Sequence, residues 1–240
     1  MSHDRRSIDL NSDLGEGYPH DDELLRLVTS ASIACGAHAG DPRLMSHTIE
    51  LAKRHGVTVG AHPGFPDREG FGRRECQMSL EDVEQLVIDQ CETLKQVAAE
   101  VGYAVRFVKP HGALYNQAQW DESVARGIVK AAARLDLPLL GQPGSILESI
   151  AAQFGLAYVR EGFPDRRYTK DGRLVPRSEA NATLETQLEV AEHLERFLVG
   201  GFDTLCIHGD AAKAVENARW IRATLTQRGL PLRSFIRDGD

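Results

Sequence analysis

Short apolar runs alternate along the chain with longer amphipathic segments, and polar loops separate the two. The short runs predict strands, and apolar residues that recur every three or four positions predict the helices between them. We expect strands over 8–11, 32–34, 57–61, 105–109, 139–141, 158–161 and 204–207, and an eighth over 232–236. The predicted helices cover 22–30, 42–56, 79–102, 121–135, 145–154, 184–198 and 210–229.

Two of these helices carry local signals at their ends. Asp41 is a suitable N-cap, Pro42 fits the first helical turn, and Gly56 suits the C-terminal end. Ser79 resembles the start of a capping box that opens the long helix ending near residue 102. The same reasoning assigns Asp210 as the cap of the last helix.

The alternation of strands and helices predicts a parallel sheet with right-handed crossovers. The 240 residues, 42% of them hydrophobic, show no break in composition, so we expect one domain over 1–240. Seven or eight βα units in so short a chain favour an α/β fold of the closed or nearly closed, distorted parallel (β/α) barrel type. An open, doubly wound sheet is the alternative.

Charge and cysteine content narrow the class of protein. The formal net charge of -7 argues against non-specific binding to nucleic acid or to an anionic membrane. No apolar stretch approaches the roughly 20 residues of a membrane span, and no signal-peptide core is present. The four cysteines form no Cys-x-x-Cys pair, which favours free thiols in a reducing compartment. We therefore expect a cytoplasmic protein.

Polar side chains follow nearly every predicted strand. In a barrel, the loops after the strands converge on one face, so these residues are expected to surround one site. They are Asn11, Asp13 and Glu16 after the first strand; Cys35, His38 and Asp41 after the second; His62 after the third; Lys109, His111, Tyr115 and Asn116 after the fourth; Glu161 after the sixth; and His208 with Asp210 after the seventh.

This residue set allows two kinds of chemistry. An Asp with two or three His is typical of a divalent metal that polarises a carbonyl or activates water. Without a metal, the same groups can act as general acid and base. Asp13 and Glu16 could instead only cap a helix, and His38 could be a packed loop residue. Cys35 is a weaker candidate for a nucleophile, because buried thiols are usually inert.

The two long loops are rich in arginine, whose guanidinium group matches carboxylates and phosphates. A merely solvated loop is the alternative. Neither a Walker-type phosphate loop nor a dinucleotide fingerprint is present, so a self-contained ATP site is not predicted. The arginines are Arg68, Arg73 and Arg74 in the first loop and Arg166, Arg167, Arg173 and Arg177 in the second.

Several motifs together resemble the LamB/YcsF family, in order and over nearly the whole chain. They are IDLNSDLGE at 8–16, IACGAHAGD at 33–41, GAHP at 60–63, FPD at 65–67 with GFGR at 70–73, VKPHGALYN at 108–116, Asp165–Arg166 with Tyr168, Asp171–Gly172 and Leu174–Val175, and HGD at 208–210. The resemblance implies a barrel akin to the polysaccharide-deacetylase-like folds.

The resemblance also implies an activity, namely the role of the A component of a 5-oxoprolinase. Such an enzyme opens 5-oxo-L-proline to L-glutamate, with ATP as cofactor and with ADP and phosphate released, together with subunits B and C. The residues and the resemblance together assign Asp13, His38, His62, Lys109 and His111 to catalysis, with Asp13, His38 and His62 as ligands if a divalent metal ion is present. Substrate binding is assigned to Asn11, Glu16, Asp41, Arg73, Tyr115, Asn116, Arg166, Arg177 and His208.

Two other functions remain open from the sequence. One is a free-standing, metal-dependent amidohydrolase or deacetylase that is active without ATP. The other is a non-catalytic subunit whose pocket only holds the substrate. Neither nucleic acid nor membrane is an expected partner, and a homo-oligomer is compatible with the sequence.

Overall fold

The computed structural model describes residues 7–177, 179–184, 186–199, 201–210 and 213–236. Seven parallel strands form a closed barrel in chain order, and the first strand pairs with both the second and the seventh. This confirms the predicted barrel and rejects the open sheet. The strands are β1 (Asp9–Leu14), β2 (Ser30–Ala34), β3 (Thr58–His62), β4 (Val105–Val108), β5 (Leu139–Gly141), β6 (Tyr158–Gly162) and β7 (Thr204–His208).

Helices surround the barrel and connect its strands. The capping predictions for two of them are confirmed: Asp41 accepts hydrogen bonds from the backbone N–H groups of Arg43 and Leu44, and Ser79 accepts one from that of Asp82. The helices are α1 (Asp21–Leu25), α2 (Pro42–His55), α3 (Leu80–Val101), α4 (Gly112–Gln117), α5 (Glu122–Leu135), α6 (Ile146–Gln153), α7 (Gln187–Val199) and α8 (Ala214–Gln227).

Three predicted elements were wrong in extent. The eighth strand is reduced to a single bridge between Leu232 and Ile8, because β1 and β7 already close the ring. The helix predicted over 22–30 ends at Leu25, and β2 already begins at Ser30. The last helix begins at Ala214 rather than at residue 210. The short helix α4 was not predicted, since six residues give too little periodicity to recognise.

The barrel interior is lined by alternate residues of the strands, and much of it is polar. In β1, the residues at positions 9, 11 and 13 pair in register with those at 204, 206 and 208 of β7. Because side chains alternate across a strand, Leu10 and Leu14 face the other way, toward the helices. The apolar core therefore lies mainly between the strands and the helices. Polar groups occupy the part of the barrel interior near the carboxyl ends of the strands.

A small apolar cluster closes the barrel interior at the N-terminal ends of the strands. Phe107, Leu140 and Val159 form it, and Phe235 from the C-terminal segment packs on them. The rings of Phe107 and Phe235 are 5.1 Å apart. The segment predicted as an eighth strand thus fills the N-terminal end of the barrel. In the described part of the chain, no helix combines the length and apolarity needed to cross a bilayer.

Candidate active site

A cavity of about 560 Å³ opens at the carboxyl ends of the strands. Its size is that of a small-molecule site. Loops after β3, β4, β5 and β6 contribute to its wall, together with the ends of β1, β3 and β7. Its lining includes Asp13, His62, Arg73, Lys109, His111, Tyr115, Asn116, Phe163, Arg166, Arg173, Arg177 and His208.

The lysine cluster consists of Lys109 and the groups that its ammonium contacts inside the barrel. Lys109 Nζ lies 2.8 Å from Asp13 Oδ1 and 2.8 Å from Glu161 Oε1. It also donates to Asn11 Oδ1 at 3.2 Å and contacts Cys206 Sγ at 3.0 Å. All five residues are buried. Two carboxylic acids therefore share one buried ammonium.

The surroundings of Lys109, Asp13 and Glu161 shift the pKa values of these three groups in different directions. Burial opposes the charge of Lys109, but the Asp13 carboxylate raises the pKa of Lys109 well above its usual value. Burial also opposes the charge of Asp13, yet neighbouring His62 and Lys109 lower its pKa below the usual range. Burial raises the pKa of Glu161. Asp13 is thus held as a carboxylate beside an ammonium at neutral pH.

The histidine–glutamate cluster comprises Glu16, His38, His62 and His111, which follow or end four successive strands. Glu16 Oε1 lies 3.4 Å from His38 Nε2, 3.4 Å from His111 Nδ1 and 3.9 Å from His62 Nε2. The rings of His38 and His111 are stacked at 3.7 Å. These donor atoms all lie within 4.8 Å of one another.

Backbone carbonyls determine the tautomers of two of these rings. His62 Nδ1 lies 2.7 Å from the Lys109 carbonyl oxygen, and His111 Nε2 lies 2.8 Å from that of Phe71. A carbonyl only accepts, so both of these nitrogens carry the proton. The other two nitrogens, His62 Nε2 and His111 Nδ1, face each other at 3.0 Å. In neutral rings, both present lone pairs.

These lone pairs fit a divalent cation. Burial lowers the pKa of His62 to about 4 and that of His38 to about 2, so the rings are neutral at pH 7. Within the described residues, Glu16 Oε1 and both ring nitrogens of His38 have no hydrogen-bond partner. Neutral imidazoles that donate their second N–H to a carbonyl, with one carboxylate, form a typical ligand set for Zn²⁺ or a similar ion.

A second group of possible ligands does not fit a metal. Asp13, Cys206 and His208 also place donor atoms within 4.8 Å of one another. However, the Lys109 ammonium already lies 2.8 Å from Asp13 and 3.0 Å from Cys206. A metal ion would have to displace this fixed positive charge.

His208 and Asp165 form a hydrogen-bonded dyad at the cavity wall. Asp165 Oδ2 lies 3.0 Å from His208 Nδ1 and accepts the backbone N–H of His208 at 3.2 Å. The ring of Phe163 stacks against the imidazole at 5.3 Å. Asp165 therefore orients the ring with the proton on Nδ1, which leaves Nε2 available for proton transfer.

The structure brings most of the predicted site residues together. Asn11, Asp13, Glu16, His38, His62, Lys109 and His111 belong to the two clusters, and Arg73, Tyr115, Asn116, Arg166, Arg177 and His208 line the cavity. The predicted metal set is distributed differently. Asp13 Oδ1 is bound by Lys109, whereas His38 and His62 group with Glu16 and His111.

Two predicted roles do not agree with the geometry. Asp41 was assigned to substrate binding, but it is exposed and its carboxylate is engaged at the N-terminus of α2. Asp210 was assigned as a helix cap, but it binds Arg73 and Arg177. Burial raises the pKa of the Cys35 thiol to about 12, in keeping with the expectation that this thiol is a weak candidate for a nucleophile.

Sequence reasoning assigned no role to several residues that contact the clusters. Glu161 was counted among the residues expected around the site but was given no role, and Asp165 was noted only as part of a motif. Cys206 could have been found, because the period-two alternation of β7 places it beside Asn11. Phe71 could not, since its backbone carbonyl is what binds His111.

Comparison with known proteins identifies the family. The LamB/YcsF family profile matches residues 8–238. The chain belongs to the LamB/YcsF family. A relative from Methylococcus capsulatus, named as the A component of 5-oxoprolinase, is 45% identical over 95% of this chain and 95% of its own length. The crystal structure of a lactam utilization protein from Thermus thermophilus is 41% identical, with a TM-score of 0.87 over 95% of this chain and 100% of that one.

A more distant structural neighbour agrees with the predicted fold type. The polysaccharide deacetylase of Bacillus cereus has a TM-score of 0.54 and 12% identity, over 98% of this chain and 95% of that one. At this identity the likeness concerns the fold alone. The barrel of this LamB/YcsF protein is therefore of the polysaccharide-deacetylase-like type that the sequence predicts.

Proposed function

We propose that this chain is the A component of a 5-oxoprolinase, which opens 5-oxo-L-proline to L-glutamate with hydrolysis of ATP to ADP and phosphate. Relatives of 40% and 45% identity bear that name. The observation that carries the proposal is the convergence of the lysine cluster and the histidine–glutamate cluster on one small-molecule cavity. We assign subunits B and C as its partners.

The chemistry of a lactam explains the need for ATP. A five-membered lactam is a resonance-stabilised amide with a poor leaving group. Phosphorylation of the amide oxygen would give an activated imidate, which water attacks more readily. Because this chain has no phosphate-binding motif of its own, we assign part of the nucleotide chemistry to the partner subunits.

Residues of this chain would carry the hydrolytic steps. Asp13 is ionised and lies 3.5 Å from His62 Nε2, a position from which it can accept a proton from the attacking water. The buried ammonium of Lys109 would stabilise negative charge as it develops on the substrate. His208, whose Nε2 carries a lone pair because Asp165 holds the proton on Nδ1, would take up the second proton of that water and pass it to the departing nitrogen.

The histidine–glutamate cluster adds a second source of catalysis. A divalent cation held by Glu16, His38, His62 and His111 would supply Lewis-acid chemistry at the reacting carbonyl. This cluster also favours the second candidate function, a metal-dependent amidohydrolase that acts without ATP. The two functions differ in one measurable requirement, namely ATP.

The first test reconstitutes the complex. The purified chain is mixed with subunits B and C, and the formation of glutamate and phosphate from 5-oxoproline is measured. We expect both products only when this chain and ATP are present. Glutamate formation by subunits B and C alone would reject the proposal, and turnover by this chain with Zn²⁺ but without ATP would establish the amidohydrolase instead.

A substitution tests the role of the lysine cluster in the same assay. Lys109→Met removes the charge while keeping the length of the side chain, and we expect glutamate formation to fall at least about 100-fold. Lys95→Met, on the exposed surface of α3, is the matched control and should retain activity. Unchanged kcat with a raised KM in Lys109→Met would indicate a protein that only holds the substrate.

A further inference from the structure

The arginines at the cavity differ in how their charges are neutralised. Arg73 and Arg177 both bind the carboxylate of Asp210, and the Arg177–Asp210 distance is 3.1 Å. The guanidinium of Arg73 also lies over the ring of Phe71 at 4.8 Å. These two charges therefore have a partner within the protein.

Arg166 lines the same cavity without such a partner. Its side chain donates from Nε to the Ala182 carbonyl at 3.1 Å and from Nη2 to the Val175 carbonyl at 2.5 Å. Both acceptors are neutral, and no ion pair links Arg166 to any residue in the described ranges. The residue is 4% exposed. Burial and the nearby Arg177 lower its pKa to about 10, so it is still charged at neutral pH.

The adjacent carboxylate does not compensate this charge directly. Asp165 has both oxygens engaged with His208, at 3.3 Å and 3.0 Å from Nδ1. The two carbonyl contacts hold the plane of the Arg166 guanidinium and leave its remaining N–H groups for a ligand. A buried, unpaired charge is costly to a folded protein. The cost is recovered when an anion binds there.

We propose that Arg166 is the receptor for the carboxylate of the substrate and is therefore the residue that selects lactams carrying a carboxylate. The proposal rests on the proposed function for the identity of the cyclic amide. Arg166 and His208 line the same cavity, so an anion bound by Arg166 shares that cavity with the proposed proton donor. The neighbouring apolar wall, which includes Phe163 and Leu174, strengthens the ion pair by excluding water.

The test compares a charged and a neutral lactam with the reconstituted complex. 5-Oxoprolinamide has the shape of 5-oxoproline but lacks its charge. We expect the unaltered complex to prefer 5-oxoproline in kcat/KM by at least about 30-fold. Arg166→Gln should lose this preference through a raised KM for 5-oxoproline, and Arg166→Lys should retain part of it. Equal effects on both lactams would overturn the proposal.

Arg167→Gln is the matched control. This neighbouring arginine pairs with Glu189 and lies outside the cavity lining, so its replacement should leave the preference intact. If Arg166→Gln does not fold, Arg166→Lys decides the matter: it keeps the charge but not the planar fork, and a preference for 5-oxoproline equal to that of the unaltered complex would overturn the proposal.

Direct binding separates this proposal from the proposed function. Calorimetry with the isolated chain should show binding of 5-oxoproline that is at least about 30-fold weaker in Arg166→Gln, even if the complex turns over neither lactam. Inorganic phosphate is the second probe. Displacement of 5-oxoproline by an equal concentration of phosphate would assign Arg166 to a phosphoryl group and overturn the proposal.

Discussion

Asp9 shows how much the barrel depends on single polar residues. It is 1% exposed at the start of β1 and accepts hydrogen bonds from the hydroxyl groups of Thr29 at 2.6 Å, Ser30 at 2.7 Å and Thr204. Burial nevertheless raises its pKa from 3.8 to about 6. The hydroxyls therefore offset only part of the cost of burying a carboxylate.

The raised pKa predicts a specific pH dependence of stability. The carboxyl group stabilises the fold fully below the unfolded pKa near 3.8, and this contribution is lost as the pH rises through about 6. Relative to the natural chain, Asp9→Asn should therefore gain about 2 kcal/mol of unfolding free energy between pH 4 and pH 7. Urea unfolding at several pH values measures this gain. A constant difference at all pH values would contradict it, and the exposed Asp89→Asn controls for loss of a surface charge.

At the scale of elements, the loop between β3 and α3 holds the histidine–glutamate cluster in place. Phe71 adopts a left-handed backbone with φ of 57°, and its carbonyl binds His111. Gly72 has φ of 65°, and a Cβ there would meet the Cβ of His38 at 2.8 Å. The loop thus rests directly on the stacked imidazoles.

This close approach makes Gly72 sensitive to substitution. Gly72→Ala combines an unfavourable φ with a contact that cannot relax easily, and we expect a loss of at least about 2 kcal/mol of stability. Gly155→Ala is the matched control, since its φ is 65° but nothing lies within 4 Å of an added Cβ, and it should cost about 1 kcal/mol. Chemical denaturation compares the two. Equal losses would show that the contact with His38 does not matter.

At the scale of the whole molecule, barrel closure assembles the site from distant parts of the chain. Glu16, His38, His62 and His111 follow or end four different strands, and the ligand set exists only when those strands are in register. Asp210, after β7, binds one arginine from the loop after β3 and one from the loop after β6. The site therefore exists only in the folded barrel.

A metal titration tests this assembly. We expect the isolated chain to bind Co²⁺ with a change in visible absorption and a higher melting temperature, because the metal binds only the folded form. Glu16→Gln and His38→Ala should each weaken binding by about 100-fold. His47→Ala, at an exposed position on α2, is the control. Unchanged Co²⁺ affinity in both site variants would exclude this cluster as the metal site.

The sequence predicted what depends on neighbouring residues. Seven strands, the caps of α2 and α3, and the barrel follow from short-range alternation and from the number of βα units. The gathering of imidazoles and acids at one end of the barrel follows as well, because parallel strands all point the same way. The LamB/YcsF motifs predicted the family, and the family match confirms it.

Only the tertiary structure decided which of these groups face each other. Asp13 is bound by Lys109, 96 residues away, and Glu16 rather than Asp13 joins the three histidines. Asp210 binds two arginines instead of capping a helix, and Arg166 has no such partner among the described residues. Hydrogen bonds and ion pairs act over a few ångströms in space, and residues far apart in the chain come that close only once the barrel has closed.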